Sequence, residues 1–212
     1  MIAIIDYEAG NLASVRRALR FLGHPSTITS EADEIRAADR VVFPGVGAAG
    51  EAMRQLRESG LGDVVRDVIA AGTPFLGICL GYQVLFEHSD ENDVDCLSVF
   101  PGRVVRFPDD LHDAKGRGPL KVPEMGWNEV RFKGDHPLWN EVPEGSEFYF
   151  VHSFYPSPKD DVVCATTTYG IEYACGVTQK NVVAFQFHPE KSGRPGLRLL
   201  KNFCEWVPGK TD

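Results

Sequence analysis

Pro74-Phe75-Leu76-Gly77-Ile78-Cys79-Leu80-Gly81 is the stretch on which the fold turns. Its first five residues form a short apolar run, the length of a buried strand. The run leads into G-x-C-x-G, the cysteine form of a nucleophile elbow, in which a strand turns sharply into a helix. Such a turn holds its central residue in a strained backbone region, and the flanking glycines remove side chains that would clash there. A thiol at the start of a helix meets the positive end of its dipole, which favours thiolate. The backbone N–H of Leu80 then points at the space where an oxyanion would form. A lone G-x-C-x-G reads equally well as a core cysteine between packing glycines. The strand before it and the helix expected after it favour the elbow.

Outward from the elbow, the first half alternates between two periodicities. Ile2-Ala3-Ile4-Ile5 reads as a buried strand. Asn11 is placed to cap a helix with Leu12, Val15, Leu19 and Leu22 at helical spacing, and Gly23 ends it. Thr27-Ile28-Thr29 and Arg40-Val41-Val42-Phe43 are further strands, and the latter runs into Pro44-Gly45-Val46-Gly47. One helical pattern covers residues 51–71. Buried strands alternating with amphipathic helices predict a parallel sheet with right-handed crossovers.

The second half changes character. Segments near 103–107, 127–132, 147–151, 162–168, 171–178 and 182–187 read as strands joined by short turns, hence antiparallel hairpins extending or flanking the sheet. Residues 108–123 read as an exposed loop. A last helix over 196–207 carries Leu197, Leu200, Phe203 and Cys204 on one face. The expected class is α/β, with an open, largely parallel central sheet flanked by helices and extra antiparallel strands. No linker divides the chain, so residues 1–212 are expected to form a single domain.

Composition narrows the function. The protein has 22 Lys and Arg against 30 Asp and Glu, a net charge of −8. Nucleic-acid binding needs clustered basic charge and is not expected. The apolar runs fall far short of the roughly 20 residues of a membrane span. The N-terminus enters a strand at once and shows no signal peptide. The five cysteines, 79, 96, 164, 175 and 204, include no C-x-x-C pair, which argues against a zinc site or a disulfide framework. Scattered thiols suit a reducing, cytoplasmic setting.

Phe185-Gln186-Phe187-His188-Pro189-Glu190 supplies a second chemical piece. His188 closes an alternating strand, and Glu190 lies two residues on, so in extended chain both side chains project the same way. A thiol needs a base to take its proton, and an imidazole needs a carboxylate to hold its tautomer. Cys79, His188 and Glu190 can supply all three parts. Pro44-Gly45-Val46-Gly47 follows a strand at the carboxyl edge of the sheet, where ligands bind in open α/β folds; taken alone, it reads as an ordinary turn.

G-I-C-L-G-Y-Q at 77–83 and F-H-P-E at 187–190 resemble the class I, or triad, glutamine amidotransferases. These enzymes hydrolyse the side-chain amide of glutamine and hand the ammonia to a partner site. Within that family, D-Y-E-A-G-N-L at 6–12, P-G-V-G at 44–47, M-G-W-N at 125–128, Y-F-V-H-S-F-Y at 149–155 and F-H-P-E-K-S at 187–192 look like the glutaminase subunits that serve a (β/α)8-barrel cyclase. The resemblance covers essentially the whole chain and implies a flavodoxin-like three-layer fold. It makes Cys79 the nucleophile, His188 the base and then the acid, and Glu190 its orienter. The oxyanion hole would come from the N–H groups of Leu80 and of the Gly45–Gly47 strand, Val46 and Gly47 included, a strand that can stay in an inactive orientation until the partner is engaged. Gly47, Gln83, Glu91, His152 and Ser153 would hold glutamine. Asn11, Trp127 and Lys191 match positions near the subunit interface.

The resemblance implies no metal and no organic cofactor. The cyclase would take the ammonia onto a phosphoribosyl-aminoimidazole-carboxamide nucleotide, releasing imidazole glycerol phosphate for histidine synthesis and an aminoimidazole carboxamide ribonucleotide. Glutaminase activity would be weak alone and rise with partner and acceptor ligand. Two positions depart from the family pattern. Glu8 stands where Gly is common, and Tyr82, beside the expected pocket, where Met or His is common.

Three alternatives stay open at this point: a paralogue feeding another acceptor such as a surface-polysaccharide sugar, a non-catalytic interaction subunit, and a cysteine hydrolase acting on peptides or small amides. The complete set Cys79, His188, Glu190 argues against the second, and Gln83 with F-H-P-E against the third. His24, His88, His112 and His136 read as surface or turn residues. Cys96, Cys164, Cys175 and Cys204 read as structural. The run Asp90-Glu91-Asn92-Asp93 reads as solvated, Glu91 alone having a second role through the resemblance.

Overall fold

The alternation of strand and helix builds a sheet outward from β1 (Ile2–Ile5), in a computed structural model that describes residues 1–8, 10–113, 118–158 and 162–209. In chain order there follow α1 (Leu12–Phe21), β2 (Ser26–Thr29), α2 (Ala32–Arg36), β3 (Arg40–Gly45), α3 (Ala49–Glu58), α4 (Leu61–Ala70), β4 (Phe75–Cys79) and α5 (Leu80–Gln83). The second half contains β5 (His88–Ser89), β6 (Val94–Asp95), β7 (Gly102–Arg106), β8 (Glu124–Glu129), β9 (Arg131–Phe132), β10 (Glu147–His152), β11 (Phe154–Pro158), β12 (Val163–Tyr169), β13 (Ile171–Gln179), β14 (Val182–Phe185) and α6 (Gly193–Glu205).

The main sheet has eight strands in the order β2-β1-β3-β4-β14-β13-β12-β9. The first five run parallel, and β13, β12 and β9 add on antiparallel. Two smaller antiparallel units flank it: the β8–β10 ribbon, and a sheet ordered β11-β7-β5-β6 in which β5 and β7 are parallel. The α/β class, with a largely parallel sheet and added antiparallel strands, is the architecture observed.

Strand alternation sorts the core into two layers. Ala3, Ile5, Val41, Phe43 and Phe75 face Ile35 of α2, Met53 and Leu56 of α3, and Val64, Val65 and Val68 of α4. Ile2, Ile4, Val42, Leu76, Ile78, Val183 and Phe185 face the other way, onto Leu12, Val15 and Leu19 of α1 and Leu199, Leu200 and Phe203 of α6. Each such buried side chain contributes about 1.5–3 kcal/mol, against about 0–1 kcal/mol for a surface ion pair such as Arg54 with Glu51 or Glu58. The two apolar faces therefore hold the layers together.

Several local expectations are corrected. The single helix over 51–71 is two, because Gly60 takes φ 72 and the Ser59 hydroxyl turns back onto the Gln55 carbonyl. The short α2 and β11 carried too few periodic residues to be seen. The helix after the elbow has only four residues, so its dipole is that of one turn. Asn11 stands at the N-terminus of α1 but does not cap it: its φ is 74 and its side chain bonds elsewhere. The loop over 108–123 is not wholly exposed, since Leu111 is buried and His112 bridges Pro119; residues 114–117 lie outside the described residues. Among the described residues no helix is long and apolar enough to cross a membrane.

Candidate active site

The parallel pairing of β4 with β3 and β14 brings three strand ends together. Cys79 ends β4, in register with Gly45 at the end of β3. Its φ of 56 and ψ of −112 put a non-glycine residue in the strained elbow conformation. A Cβ at Gly81 would overlap the Phe43 carbonyl oxygen, so only glycine lets α5 start this close to β3. The expected helix dipole gives way to local geometry: what the single turn provides is a sharp change of direction.

His188 follows β14. Its N–H donates to the Tyr149 carbonyl at 2.9 Å, and the Ser192 hydroxyl donates to its carbonyl at 2.6 Å while accepting the Tyr149 N–H at 3.0 Å. Glu190 reaches the imidazole differently from the extended-chain expectation. Pro189–Lys191 is a 3₁₀ turn, begun by the fixed φ of Pro189, and it curls the carboxylate back. Nδ1 of His188 and Oε1 of Glu190 are 2.8 Å apart, both side chains almost fully buried. Asn11, expected at a subunit surface, is half-buried and donates from Nδ2 to the same oxygen at 3.2 Å.

The other imidazole nitrogen, Nε2, is buried without a hydrogen-bond partner among the described residues, as is Glu190 Oε2. Burial alone would lower the His188 pKa. The negative charge of Cys79 and the Glu190 carboxylate outweigh it and push the imidazole up to about 10. Cys79 contributes to that rise through its charge and as a hydrogen-bonding neighbour, and Glu190 does the same from the other side of the ring. Cys96 and Cys204 are pushed up to about 12 by burial, and Cys164 and Cys175 higher still, so these four thiols stay protonated at neutral pH.

A cavity of about 300 Å³ opens over the elbow. Val46, Gly47, Cys79, Leu80, Gln83, Glu91, His152 and Ser153 all line it. The structure thus gathers every residue named for the oxyanion hole and for glutamine around the thiol. Several of these side chains are partly built into the walls. Gln83 Nε2 donates to the Phe154 carbonyl at 2.8 Å and to Gln186 Oε1 at 3.0 Å. Glu91 Oε2 accepts the Ala49 N–H at 2.9 Å, and Asn92 Oδ1 the Gly50 N–H at 3.2 Å. Glu91 and Asn92 thus cap α3, whose own N-terminal Ala48 offers no side-chain acceptor, while Asp90 and Asp93 stay exposed. Tyr82 stands apart from the cavity, fully buried, its hydroxyl donating to the Ala174 carbonyl at 3.3 Å. Glu8 takes φ 66, a conformation glycine adopts freely.

Two further residues were missed. Gln186 Nε2 donates toward Cys79 Sγ at 3.8 Å; its parity with His188 on one strand was the available signal. The Tyr7 hydroxyl is buried without a partner among the described residues, and burial plus the charge of Cys79 hold its pKa far above the ordinary tyrosine value. Trp127 and Lys191 flank Tyr149: the indole meets its ring at 6.1 Å and the ammonium lies 5.7 Å from its centroid. Met125 and Trp127 are 65% and 53% exposed, and Trp127 approaches His188 through Tyr149. A larger cavity of about 470 Å³ lies along β8 and contains none of the three converging residues.

Comparison with known proteins gives a consistent result. The family model for class-I glutamine amidotransferases matches residues 3–206. A Maridesulfovibrio salexigens protein named imidazole glycerol phosphate synthase subunit HisH is 45% identical over 212 residues, covering 100% of both chains. One of the same name from Dechloromonas aromatica is 50% identical, covering 98% of this chain and 97% of that one. A crystal structure of a glutamine amidotransferase superposes with a TM-score of 0.69 at 22% identity, over 97% of this chain and 98% of the other.

Proposed function

The chain belongs to the class-I glutamine amidotransferases, and from that membership we propose that it is the glutaminase subunit of an imidazole glycerol phosphate synthase. It is an enzyme of amide hydrolysis, splitting glutamine into glutamate and ammonia. The observation that carries the mechanism is the state of His188: Nδ1 is held by Glu190, while Nε2, beside Cys79, has no settled partner among the described residues.

The Cys79 thiolate adds to the carboxamide carbon, and the carbonyl electrons move to oxygen. The N–H groups of Leu80 and of the Val46–Gly47 segment hold that oxyanion; removing a comparable donor elsewhere costs about 2.7–4 kcal/mol. His188, protonated at Nε2, gives its proton to the departing nitrogen, and ammonia leaves a glutamyl thioester. Water then adds, its proton passing to Nε2, and glutamate departs as the thiolate re-forms. Glu190, steadied by Asn11, keeps Nδ1 protonated throughout. Gly47, Gln83, Glu91, His152 and Ser153 frame the substrate in the cavity.

Ammonia in open water becomes ammonium, so the product needs a shielded route. The partner is a (β/α)8-barrel cyclase that converts a phosphoribosyl-aminoimidazole-carboxamide nucleotide in histidine synthesis, a cytoplasmic reaction. Exposed Met125 and Trp127, with Lys191 alongside, offer its seat. Val46 and Gly47 lie just past the last paired residue of β3, so their peptides can turn without breaking the sheet, which suits activation by the partner.

The test is transfer of label from amide-¹⁵N glutamine into the cyclase product. Cys79→Ala should abolish transfer and leave product formation from free ammonium intact. Undiminished transfer in that variant would overturn the mechanism. Transfer to a different acceptor, with none to the nucleotide, would favour the paralogous reading.

A further inference from the structure

His152 of the cavity wall belongs to a second buried histidine–carboxylate pair, one that this mechanism leaves unused. Glu124 of β8 lies directly opposite His152 of β10, and Tyr173 of β13 joins them. The three are 2%, 7% and 4% exposed. The Tyr173 hydroxyl donates to Glu124 Oε2 at 2.7 Å and meets His152 Nε2 at 3.0 Å; Nε2 is 3.3 Å from the same carboxylate oxygen. Asn128 Nδ2 donates to Glu124 Oε1 at 2.9 Å.

Counting hydrogens shows what this trio can do. His152 Nδ1 lies 2.8 Å from the Phe154 carbonyl oxygen, which only accepts, so Nδ1 carries a proton. The Tyr173 hydroxyl gives its one proton to Glu124, and His152 Nε2 is the other neighbour of the phenol oxygen. Both ring nitrogens of His152 thus face protein atoms, and neither is turned to a ligand.

What the imidazole holds is the backbone corner at residues 152–154. The Phe154 oxygen at its far side also receives Gln83 Nε2, Gln83 meets Gln186, and Gln186 reaches Cys79 Sγ. The corner that lines the cavity is thus tied on one side to the Glu124–Tyr173 pair and on the other to the neighbour of the nucleophile. Burying a carboxylate is costly, and a purely packing role would be met as well by apolar side chains.

We propose that Glu124 and Tyr173 are positioning residues for glutamine, acting through His152 on the 152–154 corner; this rests on the glutaminase reading. The test is steady-state glutaminase kinetics of the full chain with the cyclase, for Glu124→Gln, Tyr173→Phe and both together. Both replacements are close in shape, and thermal melting confirms that each variant is folded. KM for glutamine should rise about tenfold, equivalent to about 1.4 kcal/mol. kcat should stay within about twofold. The double variant should resemble the worse single one, because both act through one imidazole. Alkylation of Cys79 by iodoacetamide, which needs no glutamine contacts, should keep its wild-type rate. An unchanged KM in the folded variants overturns the proposal, as does a fall in kcat with slowed alkylation, which would mark a general loosening. Wild-type chain that fails to hydrolyse glutamine in the same assay would instead overturn the glutaminase reading.

Discussion

His188 and His152 are both buried, both beside a carboxylate, and both in strands or just past a strand end. They differ in how many of their nitrogens are committed. His152 has both occupied, by the Phe154 carbonyl and by the Tyr173–Glu124 pair. His188 has one bonded to Glu190 and the other without a partner among the described residues. A saturated imidazole is a fastener. An imidazole with one unmet nitrogen, next to a thiol, can move a proton. The residue type is the same, and the count of bonds separates architecture from chemistry.

The largest expected effect breaks this contrast at its reactive end. In Glu190→Gln the amide can present N–H to Nδ1 and force the wrong tautomer; kcat for glutamine should fall on the order of 10²–10⁴-fold, the scale seen when a triad carboxylate is amidated. A loss below tenfold in stopped-time glutamate assays would put His188 in the same class as His152. The second effect is titration. NMR of ring-labelled histidine should show His188 holding its proton to about pH 10 and releasing it at lower pH in Cys79→Ala, because the thiol's negative charge is a main support of the imidazolium. The sign for stability follows. The folded pKa lies above the ordinary value of about 6.5, so the His188 contribution is complete below about 6.5, declines above it, and is gone beyond about 10. The smallest effect tests the scaffold alone. Ser192→Ala strips the Tyr149 N–H of its acceptor, at a cost of about 1–3 kcal/mol in a melting curve. Wild-type stability there would mean that the His188 N–H bond to the Tyr149 carbonyl holds the turn against β10 without the Ser192 hydroxyl.

Sequence reading reached the layers because buried strands and amphipathic helices have different periods, and β1 to β4 show both cleanly. It reached Cys79, His188 and Glu190 because each sits at a strand end with recognisable local chemistry. It misread the route from His188 to Glu190, since two residues of extended chain and one tight turn have the same spacing. The run at 90–93 reads as solvated, and Asp90, Asn92 and Asp93 are indeed exposed, but the bonds from Glu91 and Asn92 to the first amides of α3 were not visible. That helix begins 42 residues before Glu91, and a cap supplied across the fold leaves no local pattern. Glu124 and Tyr173 escaped for the same reason: they are 49 residues apart, and each alone is an ordinary polar residue in a strand.

The position of β14 has a consequence for how the chain folds. It inserts between β4 and β13, parallel to the first and antiparallel to the second, so β4 keeps a bare edge until a segment more than a hundred residues later reaches it. Gln186 and Cys79 are separated by 107 positions. Parallel pairings of such long range are slow to form. During synthesis the elbow and its thiol therefore emerge well before His188, the base proposed for them, and the seating of one late strand both seals the sheet and brings the imidazole to the cysteine.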